Sequence, residues 1–291
     1  MTSPFREYSE LVEKALERLL PAESLPPAQL HRAMRYTSLG GGKRLRGMLV
    51  LAGAEAIGGD REQVLPAAAA VELVHAYSLI HDDLPCMDDD DLRRGKPANH
   101  VVFGEAVALL AGDALLAEAF KILADLDRVY PSERVLAAIK SLARACSSQG
   151  MVGGQAEDLA NTGDLTLAEL DWINDRKTGV LIVTSLVIGA QLAGGGGAEL
   201  AALSTYGTKA GRAFQIIDDI LDEVGDPEVT GKPSGSDRAS GKRTYPGLLG
   251  IEGARAKAAQ LIEEAKAALA ELPGETGFLV DLADYILARD R

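Results

Sequence analysis

The chain has 291 residues, 47% of them hydrophobic and 4% aromatic, and carries a formal net charge of −13. That apolar content supports a sizeable core and excludes a disordered chain, while scarce aromatics and abundant Ala and Leu favour helices over sheets. So acidic a protein lacks the basic face a nucleic-acid partner requires. Cys86 and Cys146 are the only cysteines, in no zinc or redox spacing, and MTSPFREYSE shows no leader pattern. Two reduced thiols and a cytoplasmic location are expected.

Leu11, Ala15, Leu16, Leu19 and Leu20 mark an amphipathic first helix that stops before Pro21 and Pro26–Pro27. Further helical patterns cover approximately 28–38, 45–57, 62–83, 101–125, 132–148, 167–193, 199–223, 250–270 and 276–289. Loops are expected at Gly58–Gly59, Pro85–Pro97, Gly153–Gly163, Gly194–Gly197 and Gly225–Gly247. No segment alternates like a strand, no period repeats, and no Pro- or Ser-rich linker divides the chain. Thr178–Ala198 carries no charge, but Gly179, Thr184, Ser185, Gly189, Gln191 and the Gly194–Gly197 run interrupt it. Its continuous apolar part is shorter than the ~20 residues of a membrane span, so a buried core helix is expected. The reading is one all-α domain over 1–291, a bundle of about ten helices around a central apolar cavity.

The chemistry concentrates in HDDLPCMDDDDLRRGKP, residues 81–97, which follows a long apolar helix. Pro85 should end that helix near Leu84, leaving Asp82 and Asp83 at a C-terminus whose dipole disfavours anions. Carboxylates clustered at a core helix end call for a cation, most simply a hard divalent one. A solvated acidic loop is the competing reading for one such run. FQIIDDILDEVGD, residues 214–226, repeats the design with Asp218, Asp219 and Asp222. Gln215, Asp218 and Asp222, spaced i, i+3, i+7, share a helix face. Two such clusters facing each other in a bundle would form an oxygen-rich site, and Mg²⁺ held by few carboxylates leaves positions open for substrate phosphate.

The cations suit an anionic substrate. GGKRLRG, residues 41–47, sets Lys43, Arg44 and Arg46 behind glycines, while Arg93 and Arg94 follow the aspartates. Lys177 lies early in the apolar helix, out of place unless paired or near water. Lys232 and Lys242 are spaced along the Gly/Ser-rich stretch 231–247, either a phosphate-covering lid or a plain loop. His75 shares a stripe with Asp82. No Ser/His/Asp or Cys/His arrangement and no phosphate-cradling Walker loop is present. The implied chemistry is metal-assisted departure of a diphosphate above an apolar cavity suited to a hydrocarbon tail.

With GGKRLR, DDLPCMDDDDLRRG, KTG and FQIIDDILD in order from Gly41 to Pro246, the chain resembles the trans-isoprenyl diphosphate synthases, most closely bacterial farnesyl diphosphate synthases. The resemblance implies Mg²⁺-dependent head-to-tail condensation of isopentenyl diphosphate with an allylic diphosphate in a homodimeric enzyme. It implies more than one Mg²⁺, held by Asp82, Asp88, Asp218 and Asp222. Arg93, Lys177, Thr178, Gln215, Lys232 and Lys242 would contact the allylic substrate; Lys43, Arg46, His75 and Arg94 would form the isopentenyl diphosphate pocket. The Lys177 carbonyl, the Thr178 hydroxyl and Gln215 would face the allylic cation. Gly47 stands where the family usually has Pro, which should loosen the start of that helix. Tyr77 and Ser78, five and four residues before Asp82, would form the pocket floor, a bulky Tyr77 favouring a farnesyl product. Five residues is about 140° around a helix, so spacing alone does not turn Tyr77 toward the tail. The alternatives are a geranylgeranyl diphosphate synthase, a terpene cyclase, which would need no second diphosphate pocket, and a non-catalytic partner subunit.

Overall fold

The computed structural model describes residues 3–160, 165–224 and 243–289. Among the described residues the regular structure is helical except for one hairpin of two two-residue strands. The elements are α1 (Ser3–Leu19), α2 (Ala28–Ser38), α3 (Leu45–Glu55), α4 (Leu65–Asp82), β1 (Leu92–Arg93), β2 (Lys96–Pro97), α5 (Asn99–Phe103) and α6 (Glu105–Ala124). A short 3₁₀ turn at Asp125–Arg128 leads to α7 (Ser132–Cys146), α8 (Met151–Ala160), α9 (Leu167–Asn174), a π-helical turn (Asp175–Gly179), α10 (Val180–Ala193), α11 (Gly197–Val224), α12 (Tyr245–Ala268) and α13 (Gly277–Leu287).

The central helices α3, α4 and α10 are apolar on nearly every side because other helices surround them. Small residues let α3 and α10 approach closely. A Cβ on Gly189 would overlap the Val50 carbonyl oxygen and lie 2.9 Å from the Ala54 nitrogen; one on Gly53 would lie 2.9 Å from the Leu186 carbonyl carbon. Backbone cannot rotate aside as a side-chain tip can, so only glycine permits this crossing. The stretch Leu167–Ala193 is long and apolar enough to cross a membrane by length and composition, but 56% of its most apolar 18 residues are buried among neighbouring helices. It serves as a core helix here.

Several boundaries differ from the sequence reading. The expected loop Gly153–Gly163 is helical through Ala160, as α8. Its glycines are sites of close packing: a Cβ on Gly154 would lie 2.8 Å from Arg176 Cβ and overlap the Lys177 nitrogen. The expected helix 101–125 is broken at Gly104, whose φ of 85° belongs to glycine. The 167–193 helix contains the π-helical turn, and α12 starts earlier than expected, with a non-helical Gly250 inside it. The expected loop Pro85–Pro97 contains the hairpin, in which Leu92 faces Pro97 and Arg93 faces Lys96. Its turn residues Arg94 and Gly95 both have positive φ, 55° and 75°, the twist a two-residue hairpin demands.

Candidate active site

Helix α4 ends at Asp82, three residues before Pro85, and the chain then folds back so that the Asp88 N–H donates to the Asp82 carbonyl at 2.9 Å. This return places a second carboxylate beside the first. Asp82 is largely desolvated; burial, reinforced by Asp88 and Asp83 and opposed by Lys177 and Arg93, raises its carboxyl to about 6. Asp83 is buried and forms a bidentate ion pair with Arg93, whose Nε donates at 2.9 and 3.2 Å. The hairpin therefore turns Arg93 inward to hold the helix end, while Arg94 donates to the Gly41 carbonyl across the site.

Below Asp82 opens a cavity of about 350 Å³ with a mainly apolar wall. Tyr77, Ser78 and His81 line it from α4, Met151 and Gln155 from α8, and Lys177 at the mouth. Thus Tyr77 does turn toward the cavity. Lys177 rides on the π-helical turn and pairs with Asp158 of α8, Nζ to Oδ2 2.6 Å. That turn is pinned by Arg212 of α11, which grips Asp175 with Nε at 2.7 Å and Nη2 at 2.6 Å.

A cationic pocket adjoins the aspartates. Gly41 and Gly42 have φ of 95° and 129°, and a Cβ on Gly42 would lie 2.6 Å from the Arg94 guanidinium carbon, so glycine there lets Arg94 close over the loop. Arg46, in the first turn of α3, has a buried Nε with no hydrogen-bond partner, and burial lowers its basicity, with Glu72 opposing and Arg94 reinforcing. His75 is pushed well below the usual imidazole range by burial and by Arg46, Arg94, Arg44 and Arg93, so it stays neutral at pH 7. Crowded guanidiniums with an unmet buried donor suit an incoming polyanion. Gly47 does not loosen α3: its N–H donates to buried Glu72 at 2.9 Å, a bond proline could not make.

Asp218, near the C-terminal end of α11, is also raised by burial, opposed chiefly by Arg289 and then by Lys43. Arg289 pairs with it at 2.7 Å and stacks over Phe214, 4.5 Å from the ring centroid. The cation on Asp218 in this state is thus an arginine. Neighbouring Asp219 is committed to the scaffold, accepting from the Tyr245 N–H at 3.0 Å and Gln215 Nε2 at 2.9 Å. Among the described residues, no three acidic, histidine or cysteine side chains converge as a ready-made metal cage. Lys232 and Lys242 lie outside the described residues.

Sequence reasoning missed Asp158, Gln155 and the Arg212–Asp175 clasp. Asp158 and Gln155 were hidden because Gly153–Gly154 reads as a breaker; the i, i+4 pair Asp171 and Asp175, facing Arg212, was the available signal for the clasp.

The fold and this site define a class. Residues 27–273 match the family described as polyprenyl synthetase, and the chain belongs to it. It is 46% identical to a farnesyl diphosphate synthase of Geobacillus stearothermophilus over 288 residues, 98% of this chain and 96% of that protein. It is 45% identical to a chloroplastic geranylgeranyl pyrophosphate synthase of Capsicum annuum over 282 residues, 96% of this chain and 76% of that protein. A solved FPP/GFPP synthase from Zymomonas mobilis superposes with a TM-score of 0.87 at 38% identity, covering 98% of each chain.

Proposed function

We propose that this prenyltransferase condenses isopentenyl diphosphate with dimethylallyl or geranyl diphosphate, with farnesyl diphosphate the main product. The observation that carries the reading is Asp82, a desolvated carboxylate beside Asp88 at the mouth of an apolar cavity, next to a pocket crowded with arginines. The farnesyl synthase relative covers nearly the full chain and supports the product assignment.

The donor set fits Mg²⁺. Asp82 and Asp88 supply hard oxygens, Asp82 from a largely desolvated place that favours its protonation when no cation is near, and a pair rather than a cage would leave positions for diphosphate oxygens. Asp218 and Asp222 would hold a further ion once Arg289 yields Asp218. Mg²⁺ held by these carboxylates would supply positive charge to offset that developing on the departing diphosphate. The chain's own groups do the rest. Lys177 and Arg93 orient the allylic diphosphate; Lys43, Arg46 and Arg94 bind the diphosphate of isopentenyl diphosphate, with neutral His75 able to donate a hydrogen bond without adding charge. The hydrocarbon tail enters the cavity lined by Tyr77 and Ser78. The Lys177 carbonyl, the Thr178 hydroxyl and the Gln215 side-chain oxygen stabilise the allylic cation as dipoles while being poor nucleophiles. Attack by the isopentenyl double bond forms the new carbon–carbon bond, and loss of a proton restores the alkene. Exposed Val101, Val102, Leu109 and Leu110 on α5 and α6 support a homodimer.

Incubating the protein with isopentenyl diphosphate and each allylic primer, with and without Mg²⁺, should give farnesyl diphosphate only in the presence of both substrates and metal. Mainly geranylgeranyl diphosphate would favour the second reading, supported by the Capsicum relative. Turnover of an allylic diphosphate alone would identify a cyclase.

Because metal ligands must be deprotonated, protons compete with Mg²⁺ once the pH falls below the raised Asp82 value of about 6. Mg²⁺ affinity is expected to drop about tenfold per pH unit below that point. Mg²⁺-dependent thermal shifts at pH 5 and pH 7.5 check this; equal midpoints in Mg²⁺ would count against Asp82 as a ligand.

A further inference from the structure

We propose that His81, locked into a notch on α6, determines product length by forming with Tyr77 the wall at which the growing prenyl chain stops. The inference rests on chain elongation in the cavity beneath Asp82. Tyr77 and His81 are i and i+4 on α4 and both line that cavity. Three contacts fix the His81 ring. Its Nε2–H donates to the Leu109 carbonyl at 3.0 Å. It lies against bare backbone at Gly112, where a Cβ would overlap Nε2 and Cδ2 and lie 3.0 Å from Cε1. It also meets the Tyr77 ring edge-on, centroids 5.2 Å apart and planes at 85°. The carboxylate of Asp113 stands 3.9 Å from the same Nε2.

This fixation makes the imidazole a strut. Tyr77 gains an edge-to-face contact that holds its ring across the cavity, and the strut gains its position from a glycine whose missing side chain is the seat. Removing the imidazole opens space directly beside Tyr77 and frees that ring to swing. Adding a methyl at Gly112 works in the opposite sense, because the nearest atoms are the imidazole itself, which must then move off α6 into the cavity.

The test is product analysis. Wild type, His81→Ala, His81→Leu, Gly112→Ala and the His81→Ala/Gly112→Ala double variant are incubated with labelled isopentenyl diphosphate and geranyl or dimethylallyl diphosphate, and the products are hydrolysed and chromatographed. His81→Ala is expected to raise the geranylgeranyl-to-farnesyl ratio about tenfold, in the range a few methylenes of pocket are worth. His81→Leu refills the notch without the hydrogen bond and keeps the farnesyl product. Gly112→Ala increases the geranyl share, and it changes nothing further when His81 is already Ala. A merely structural role would lower rates without moving these ratios. An unchanged ratio in His81→Ala, or an equal effect of Gly112→Ala with and without the imidazole, would overturn the proposal. A wild type that makes no prenyl product from isopentenyl diphosphate would instead sink the elongation reading on which it stands.

Discussion

Asp82→Asn is expected to lower turnover by at least about a thousandfold while leaving the fold intact. The amide keeps the shape of the side chain but removes the anion at the mouth of the cavity, and Asp88 is then a lone, solvent-facing carboxylate. The stability effect runs the other way. Asp82 has a folded-state value of about 6, above the ordinary carboxylate value of 3.8. The folded protein therefore binds more protons than the unfolded chain between those values, and metal-free stability declines as the pH rises through that window. Above it, the buried charge weighs fully on the native state. Asn relieves that burden, so the metal-free variant at pH 7.5 should melt no lower than the parent, and the difference should shrink toward pH 4. Asp218→Ala is expected to abolish turnover similarly while releasing Arg289 from its partner. Steady-state assays and paired melting curves read both effects. A fully active Asp82→Asn/Asp218→Ala protein would instead describe a scaffold with no use for its aspartates.

Gly189→Ala, far from any chemistry, is expected to destabilise the fold by about 3 kcal/mol, seen as a melting temperature lowered by several degrees. The new methyl would be driven into the Val50 carbonyl on the facing helix, and its next neighbour is the Ala54 nitrogen, again backbone. Relief requires α3 and α10 to move apart, which loosens the packing around both. Gly197→Ala, at the first residue of α11, is the control: a Cβ there meets nothing within 4 Å. It should be neutral or slightly stabilising through a less flexible unfolded chain. Parent-like melting of Gly189→Ala would show that the crossing is softer than its geometry implies.

The contrast between these glycines explains what was legible in the sequence. Chain-breaking by proline is local, so the end of α4 before Pro85 was readable, and with it the position of Asp82. Apolar periodicity delivered α3, α4, α7 and α11 within a few residues. Helical glycine is different, since the same residue breaks an isolated helix and seats a packed one. Gly153 and Gly154 read as a loop because the close packing that rewards Gly154, against the turn at Arg176–Lys177, is with a segment distant in sequence. That hid α8, and with α8 the Asp158 partner of Lys177. The carboxylates and cations were visible as residue types, yet their pairing was not: nothing in LADYILARDR indicates that Arg289 reaches Asp218. The Arg94–Gly95 hairpin escaped notice because two-residue strands are too short to alternate.

The π-helical turn at Asp175–Gly179 has a consequence for how this gene can change. Such a turn carries more residues than an α-helix needs to climb the same distance. Deleting one codon there would remove the surplus residue and let 167–193 rewind as a single regular spiral, with the helix beyond it kept in phase. Gly189 would still face Val50, but the widened turn that presents Lys177 to Asp158 would close. A one-codon loss within α10 itself would rotate everything beyond it by about 100° and break that crossing, so the irregular turn is where this stretch can lose a residue while the packing downstream survives.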